Sequence, residues 1–186
     1  MDDPWRLERF VAAQDRGGTY RRAVAELRAG AKVSHWMWFV FPQIAGLGLS
    51  ATAREYAVSS VAEARAYLAH PVLGPRLREC ARIVARTEDR SAGRIFGPVD
   101  AMKLRSSMTL FAAAAEPDEA GPAEPGPDES GPSSDGQRAA GEAGRNVFRA
   151  VLEKYFDGAA DEATVTRLLP CVTWCARRNA SAGSPR

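Results

Sequence analysis

Between Glu116 and Gly144 the chain carries five prolines, six glycines and eight acidic residues against one arginine, and no aromatic or large aliphatic side chain. Such a segment cannot bury enough apolar surface to offset the entropy of ordering it. It is therefore expected to be a disordered acidic linker (116–144), and any core must be built from what lies on either side. Because loop closure costs rise slowly with length, a linker of this kind can join two helices without disturbing them. The expected organisation is one helical domain over 1–170, interrupted by the linker, followed by a flexible basic tail over 171–186.

Charge follows the same division. The linker carries −7 while the whole chain carries +2, so the remainder holds +9, of which Arg177, Arg178 and Arg186 supply +3. About +6 is left on the folded part, a modest excess that can attract anions.

Outside the linker the apolar residues recur at helical spacing. Asp3-Pro4 offers a cap and a first-turn proline, and Leu7, Phe10, Val11 and Gln14 follow until Gly17-Gly18 stop the run. Thr19 is placed to cap a second helix ending at Gly30. Ser34 to Gln43 is too continuously aromatic for periodicity to assign, although Pro42 disfavours helix at Phe41. Short extended pieces around 38–44 remain open. Ser50 is placed to cap a short helix to Tyr56, and Ser60-Val61-Ala62-Glu63 matches a capping box for a helix to Ala69. Pro75 opens a longer helix with Leu77, Cys80, Ala81 and Val84 inward. Ser91 to Phe96 forms a short turn or helix. Asp100 is expected to cap a helix from Ala101 to about Ala115, with Leu104, Met108, Phe111 and Ala115 along one stripe. Val147 to Phe156 and an Asp161-capped segment with Val165, Leu168 and Leu169 complete an all-α, compact multihelical architecture.

Several reaction classes lack their signatures. No nucleophile elbow, Walker loop, dinucleotide fingerprint or His-Glu-x-x-His motif occurs, and no cofactor is expected. Cys171 and Cys175 form a lone pair with only two histidines in the chain, short of a structural zinc set, so no metal is expected. Cys80 reads as a small buried hydrophobe. His70, before Pro71 and between two helices, reads as a capping or turn residue. Arg76, Arg78, Arg82 and Arg86 form a basic run without a nucleic-acid-reading motif, so a solvated helix face is expected rather than nucleic-acid binding. No stretch nears the ~20 apolar residues that cross a bilayer. The start of the chain shows no basic region followed by an apolar run, and the cytoplasm is the expected location.

These segments resemble the bacterial domain-of-unknown-function family 1810. The resemblance is carried by Leu7-x-x-Phe10-Val11-x-Ala13-Gln14, by Ser34-His35-Trp36-Met37-Trp38-Phe39 with Phe41-Pro42-Gln43, and by Gly46-Leu47-Gly48. It continues through His70-Pro71-Val72-Leu73-Gly74, Ile95-Phe96-Gly97, Asp100-x-x-Lys103-Leu104-x-Ser106-Ser107-Met108-Thr109-Leu110-Phe111 and Tyr155-Phe156-x-Gly158. It spans 5–115 and about 147–169, implies a compact multihelical fold, and implies no established reaction. The acidic linker and the arginine-bearing tail depart from the family pattern.

Two polar sets could carry function. In the first, Trp36 and Trp38 can stack on a planar ligand while His35 and Gln43 orient polar atoms. The competing reading is that the rings build the core. In the second, Asp100, Lys103, Arg105, Ser106 and Ser107 share one short stretch, and Lys103 is one of only three lysines. Ammonium and hydroxyl groups suit phosphate or carboxylate. Here the competing reading is a capped helix with a solvated lysine and hydroxyls bonded to backbone. If the two sets meet, His35, Trp36, Trp38, Gln43, Lys103, Ser106 and Ser107 would line a pocket for an anionic, nucleotide-like small molecule. The alternatives are a hydrolase or transferase using His35 as acid or base in that pocket, and a protein-interaction module.

Overall fold

A computed structural model describes residues 3–116 and 146–168. The expected linker from 117 onward, the tail over 171–186, Cys171, Cys175 and Leu169 lie outside the described residues. Among the described residues ten helical segments succeed one another: α1 (Glu8–Asp15), α2 (Thr19–Arg28), α3 (Met37–Val40), α4 (Ala51–Glu55), α5 (Val61–Ala69), α6 (Leu73–Arg86), α7 (Ala92–Phe96), α8 (Pro98–Ala114), α9 (Val147–Phe156) and α10 (162–168). A 3₁₀ turn, Arg16–Gly18, joins α1 to α2. Among the described residues no strand forms. The extended piece near residue 44 amounts to a single parallel bridge between Ile44 and Val58.

Helix α8 runs through the middle of the assembly. It packs against α5, α7 and α9, and α6 lies against α2, α5 and α9. Its sequence explains that position. Besides the anticipated Leu104, Met108 and Phe111, the residues Ser106, Ser107, Thr109, Leu110, Ala112 and Ala114 are buried, so α8 is enclosed on nearly every side. Ala115, expected on the stripe, is exposed because the helix ends beside it. The amphipathic α6 turns Leu73, Leu77, Cys80, Ala81 and Val84 inward, as its spacing predicts. Leu77 is almost wholly enclosed, and truncating such a leucine to alanine costs about 2–5 kcal/mol.

Helix starts follow capping chemistry with four departures. Asp3 does cap, but its carboxylate accepts from Leu7 N–H (2.8 Å) and Glu8 N–H (3.0 Å), so α1 begins four residues later than expected. Thr19 spends its hydroxyl on the Arg16 carbonyl at 2.6 Å, and Gly18 with φ +70° takes the cap position. Ser60 accepts from Glu63 N–H, but Glu63 does not close the box. Its carboxylate binds Ser59 and Arg9 instead, tying α5 to α1. Asp100 is no cap either: α8 starts at Pro98 behind Gly97, which leaves Asp100 inside the first turn with its carboxylate free for other work.

Candidate functional site

The first polar set is organised by a residue the sequence reading overlooked. Glu26, in α2, accepts from Val33 N–H (2.8 Å), Ser34 N–H (3.0 Å), the Ser34 hydroxyl (2.5 Å) and the Trp36 indole N–H (2.8 Å). Burial pushes this carboxyl upward, but the hydrogen bonds from Ser34, Val33 and Trp36 outweigh it and hold the group down at about 2. The clamp satisfies the indole N–H and swings the Trp36 ring inward, where it meets Phe41 and Phe96 and is 0% exposed. Trp36 is therefore a core residue, as the competing reading held.

The single turn of α3 then distributes its neighbours. Met37 and Val40 point into the core. Phe39 lies half-buried against Tyr56, and its carbonyl accepts from Gln14 Nε2 at 2.8 Å. Trp38 is half-buried and turns toward α8. The turn stops at Phe41, the residue that Pro42 restricts.

The second set meets the first at Lys103. Its ammonium stands 4.6 Å from the Trp38 ring centroid and 2.7 Å from Asp100 Oδ1. Asp100 Oδ2 is shared with Lys32 Nζ at 2.7 Å, and Lys32 lies 5.2 Å from the Trp36 ring centroid. Two ammonium groups, one carboxylate and two indoles thus form a continuous chain of contacts, which the Glu26 carboxylate on Trp36 extends to two charges of each sign. The Asp100 carboxyl is raised by burial, but hydrogen bonds from Lys103 and Lys32 more than offset this and leave it below its usual range. The lysine side chains differ in access: Lys32 is 8% exposed and Lys103 is 21% exposed. Lys103 is the member an incoming molecule can reach.

Around this chain lie three uncovered apolar side chains: Val33 beside Lys32, and Val99 and Met102 flanking Asp100, at 78%, 58% and 64% exposure.

The other candidates stand apart. His35 is exposed and makes no hydrogen bond or ion pair among the described residues. Gln43 is half-buried; its carbonyl accepts from Val58 N–H at 2.9 Å, and nothing joins its side chain to Lys103. Ser106 is buried with its hydroxyl on Thr164 Oγ1 at 2.8 Å, linking α8 to α10. Ser107 is fully buried and its Oγ has no partner among the described residues. Trp38 and Lys103 thus touch, Trp36 joins through Lys32 and Asp100, and both serines are sealed inside. Lys32 was legible by the same argument that picked out Lys103, since both belong to the chain's three lysines.

Elsewhere, His70 Nδ1 accepts from Val72 and Leu73 N–H at 3.2 and 3.3 Å, the capping role its position suggests. Cys80 is buried, and burial pushes its thiol up to about 12. Among the described residues no group of His, Cys, Asp or Glu is arranged to hold a metal, and no helix is long and apolar enough to cross a membrane.

Comparison with known proteins places this geometry in a family. No curated protein matches the chain. A crystal structure of the conserved hypothetical protein Rv1873 from Mycobacterium tuberculosis is similar at 46% identity with a TM-score of 0.71, covering 90% of this chain and 99% of that one. The family described as a protein of unknown function, DUF1810, matches residues 4–122, which include the whole chain of contacts from Glu26 to Lys103. The protein belongs to the DUF1810 family.

Proposed function

We propose that this protein binds a small, anionic, partly planar metabolite of nucleotide-like character at the Trp38–Lys103 surface. The observation that carries the reading is the contact between two stretches 65 positions apart, where an accessible ammonium lies over an indole and beside a carboxylate that a second lysine also holds. Lys103 can leave Asp100 for a ligand anion without stranding the carboxylate, because Lys32 stays on it. Its flexible stem lets the ammonium move off the Trp38 face, opening that face to a planar group.

The exchange favours binding. Leaving Trp38 and Asp100 costs Lys103 a cation–π contact of roughly 0.5–1 kcal/mol and a charge-assisted hydrogen bond of about 1.5–3 kcal/mol, the latter returned by the new bond to the ligand anion. Base stacking on an aromatic side chain adds about 1–3 kcal/mol. His35 and Gln43 flank the α3 segment in sequence and stand apart from the Trp38–Lys103 contact, so they are not needed for this reading. Trp36 and Glu26 position the segment from beneath. Ser106 and Ser107 contribute to packing rather than to contact. A binding role is preferred to hydrolysis or group transfer because no acidic or basic partner accompanies His35 among the described residues.

A thermal-shift screen of nucleotides, nucleosides and aromatic carboxylates tests the reading, since a ligand at a hundred times its Kd adds about 2.7 kcal/mol to native-state stability. At least one anionic, ring-bearing compound is expected to raise the melting temperature. A library that leaves it unmoved would dismiss the proposal.

A further inference from the structure

A cleft of about 460 Å³ opens where the C-terminal ends of α2 and α6 approach the loop leading to α7, and its walls carry Arg28, Arg86 and Arg90 against a single acid, Glu88. Arginine in a last helical turn ordinarily serves the carbonyls exposed there. Here those carbonyls have other partners. Val84 O accepts from the Tyr155 hydroxyl at 2.9 Å, and Ala85 O and Thr87 O accept from Lys154 Nζ at 2.7 and 2.5 Å. At the end of α2, Glu26 O and Leu27 O accept from Ala31 and Gly30 N–H.

These carbonyls therefore do not call on Arg28 or Arg86. Arg86 makes no hydrogen bond or ion pair among the described residues. Among the described residues Arg28 pairs only with Glu79, at 3.3 Å, and with side chains 67% and 43% exposed that pair is readily exchanged. In the basic run that ends at Arg86, Arg76 is held by Asp15 and Gln14 and Arg78 by the Leu68 carbonyl, whereas Arg82 is exposed and is not among the residues lining this cleft.

Arg90 is placed by the backbone itself. Gly30 sits at φ +64°, and a Cβ there would come within 2.8 Å of Arg90 Cδ and 3.0 Å of its Nε. The bare glycine lets the arginine stem lie against the chain, and Nη1 donates to Gly30 O at 3.3 Å. Three arginines from three separate segments thus line one opening, with Ile83 and Ala29 among the apolar residues of its wall.

We propose that this cleft is an anion site, distinct from the Trp38–Lys103 surface, that takes a phosphate-bearing small metabolite. The planar fork of arginine matches the oxygens of a phosphate in pairs, and the cleft has apolar wall for the rest of the molecule.

The test is isothermal titration of the full chain with inorganic pyrophosphate at fixed ionic strength, with citrate as a matched carboxylate. Saturable pyrophosphate binding is expected, with Arg86→Ala and Arg90→Ala each weakening it roughly tenfold, the loss of one charge-assisted hydrogen bond. Both side chains are exposed, and unchanged melting curves would establish that the variants fold. Three results would overturn the proposal: no saturable heat, undiminished affinity in the Arg86→Ala/Arg90→Ala double variant, or a loss that follows Lys103→Ala instead. Citrate binding as tightly as pyrophosphate would overturn the assignment to phosphate.

Discussion

Removing the Glu26 carboxylate should destabilise the protein by at least about 3 kcal/mol, near the lower end of the sum over its four hydrogen bonds. The Trp36 indole N–H belongs to a ring that is 0% exposed, so without Glu26 it has no acceptor, at a cost of roughly 1–3 kcal/mol. The Val33 and Ser34 donors lie nearer solvent and can recover bonds to water, so each adds about 0.5–1 kcal/mol. For a domain of this size, 3 kcal/mol lowers the melting temperature by about 6–12 °C. Glu26→Ala measured by calorimetry at neutral pH is the direct assay. A pH series on Glu26→Gln gives a second check. Because the folded-state carboxyl is held down at about 2 from an ordinary 4.5, its extra stabilisation is complete above about pH 4.5 and drains away as the pH falls toward 2. The stability gap between parent and Glu26→Gln should narrow over that window, by less than the full shift implies because the carboxylate is partly solvated. A Glu26→Ala protein within about 0.5 kcal/mol of the parent would refute the reasoning.

Two further outcomes are expected. Gly74 has no room for a side chain, since a Cβ would lie 2.1 Å from the Leu68 carbonyl oxygen, so Gly74→Ala should cost more than about 3 kcal/mol in urea unfolding or fail to fold. The adjacent serines of α8 should part company: Ser106→Ala, which leaves Thr164 without that bond, should cost about 1 kcal/mol, whereas Ser107→Ala removes an unpartnered hydroxyl and should be neutral or slightly stabilising.

Much of the fold was legible because local chemistry and tertiary packing agree. The serines at 50, 60 and 91 each accept a backbone N–H three residues on, and α4, α5 and α7 start behind them. Asp161 does the same for α10 through Thr164. Gly17, Gly18, Gly30 and Gly97 adopt positive φ where the pattern breaks. The readings that missed involve side chains with two possible employers. Glu63, Asp100 and Thr19 each fit a capping motif, but an arginine, two lysines and a nearby carbonyl competed for them and won. No local pattern can reveal that outcome, because Arg9 lies 54 positions from Glu63 and Lys32 lies 68 from Asp100.

The candidate site shows the same division. That the aromatic stretch and the Lys103 stretch meet could be argued from two unusual polar sets in one small domain. Which indole would face the lysine could not. Glu26 decides it, ten positions before Trp36, by turning that ring inward and leaving Trp38 to α8. The sealing of Ser106 and Ser107 likewise follows from how completely α8 is enclosed, a property set by the helices around it.

The account turns on Lys103 and Trp38 acting together on one ligand. Titrating the isotopically labelled protein with the strongest hit from the ligand screen, and following the Trp38 indole N–H and the Lys103 side-chain resonances by nuclear magnetic resonance, measures this directly. The account predicts that both resonances move and saturate with a common Kd, and that the Trp38 resonance stays still in Lys103→Met. Shifts confined to other residues, or a Trp38 signal that no anionic ring compound perturbs at millimolar concentration, would contradict it.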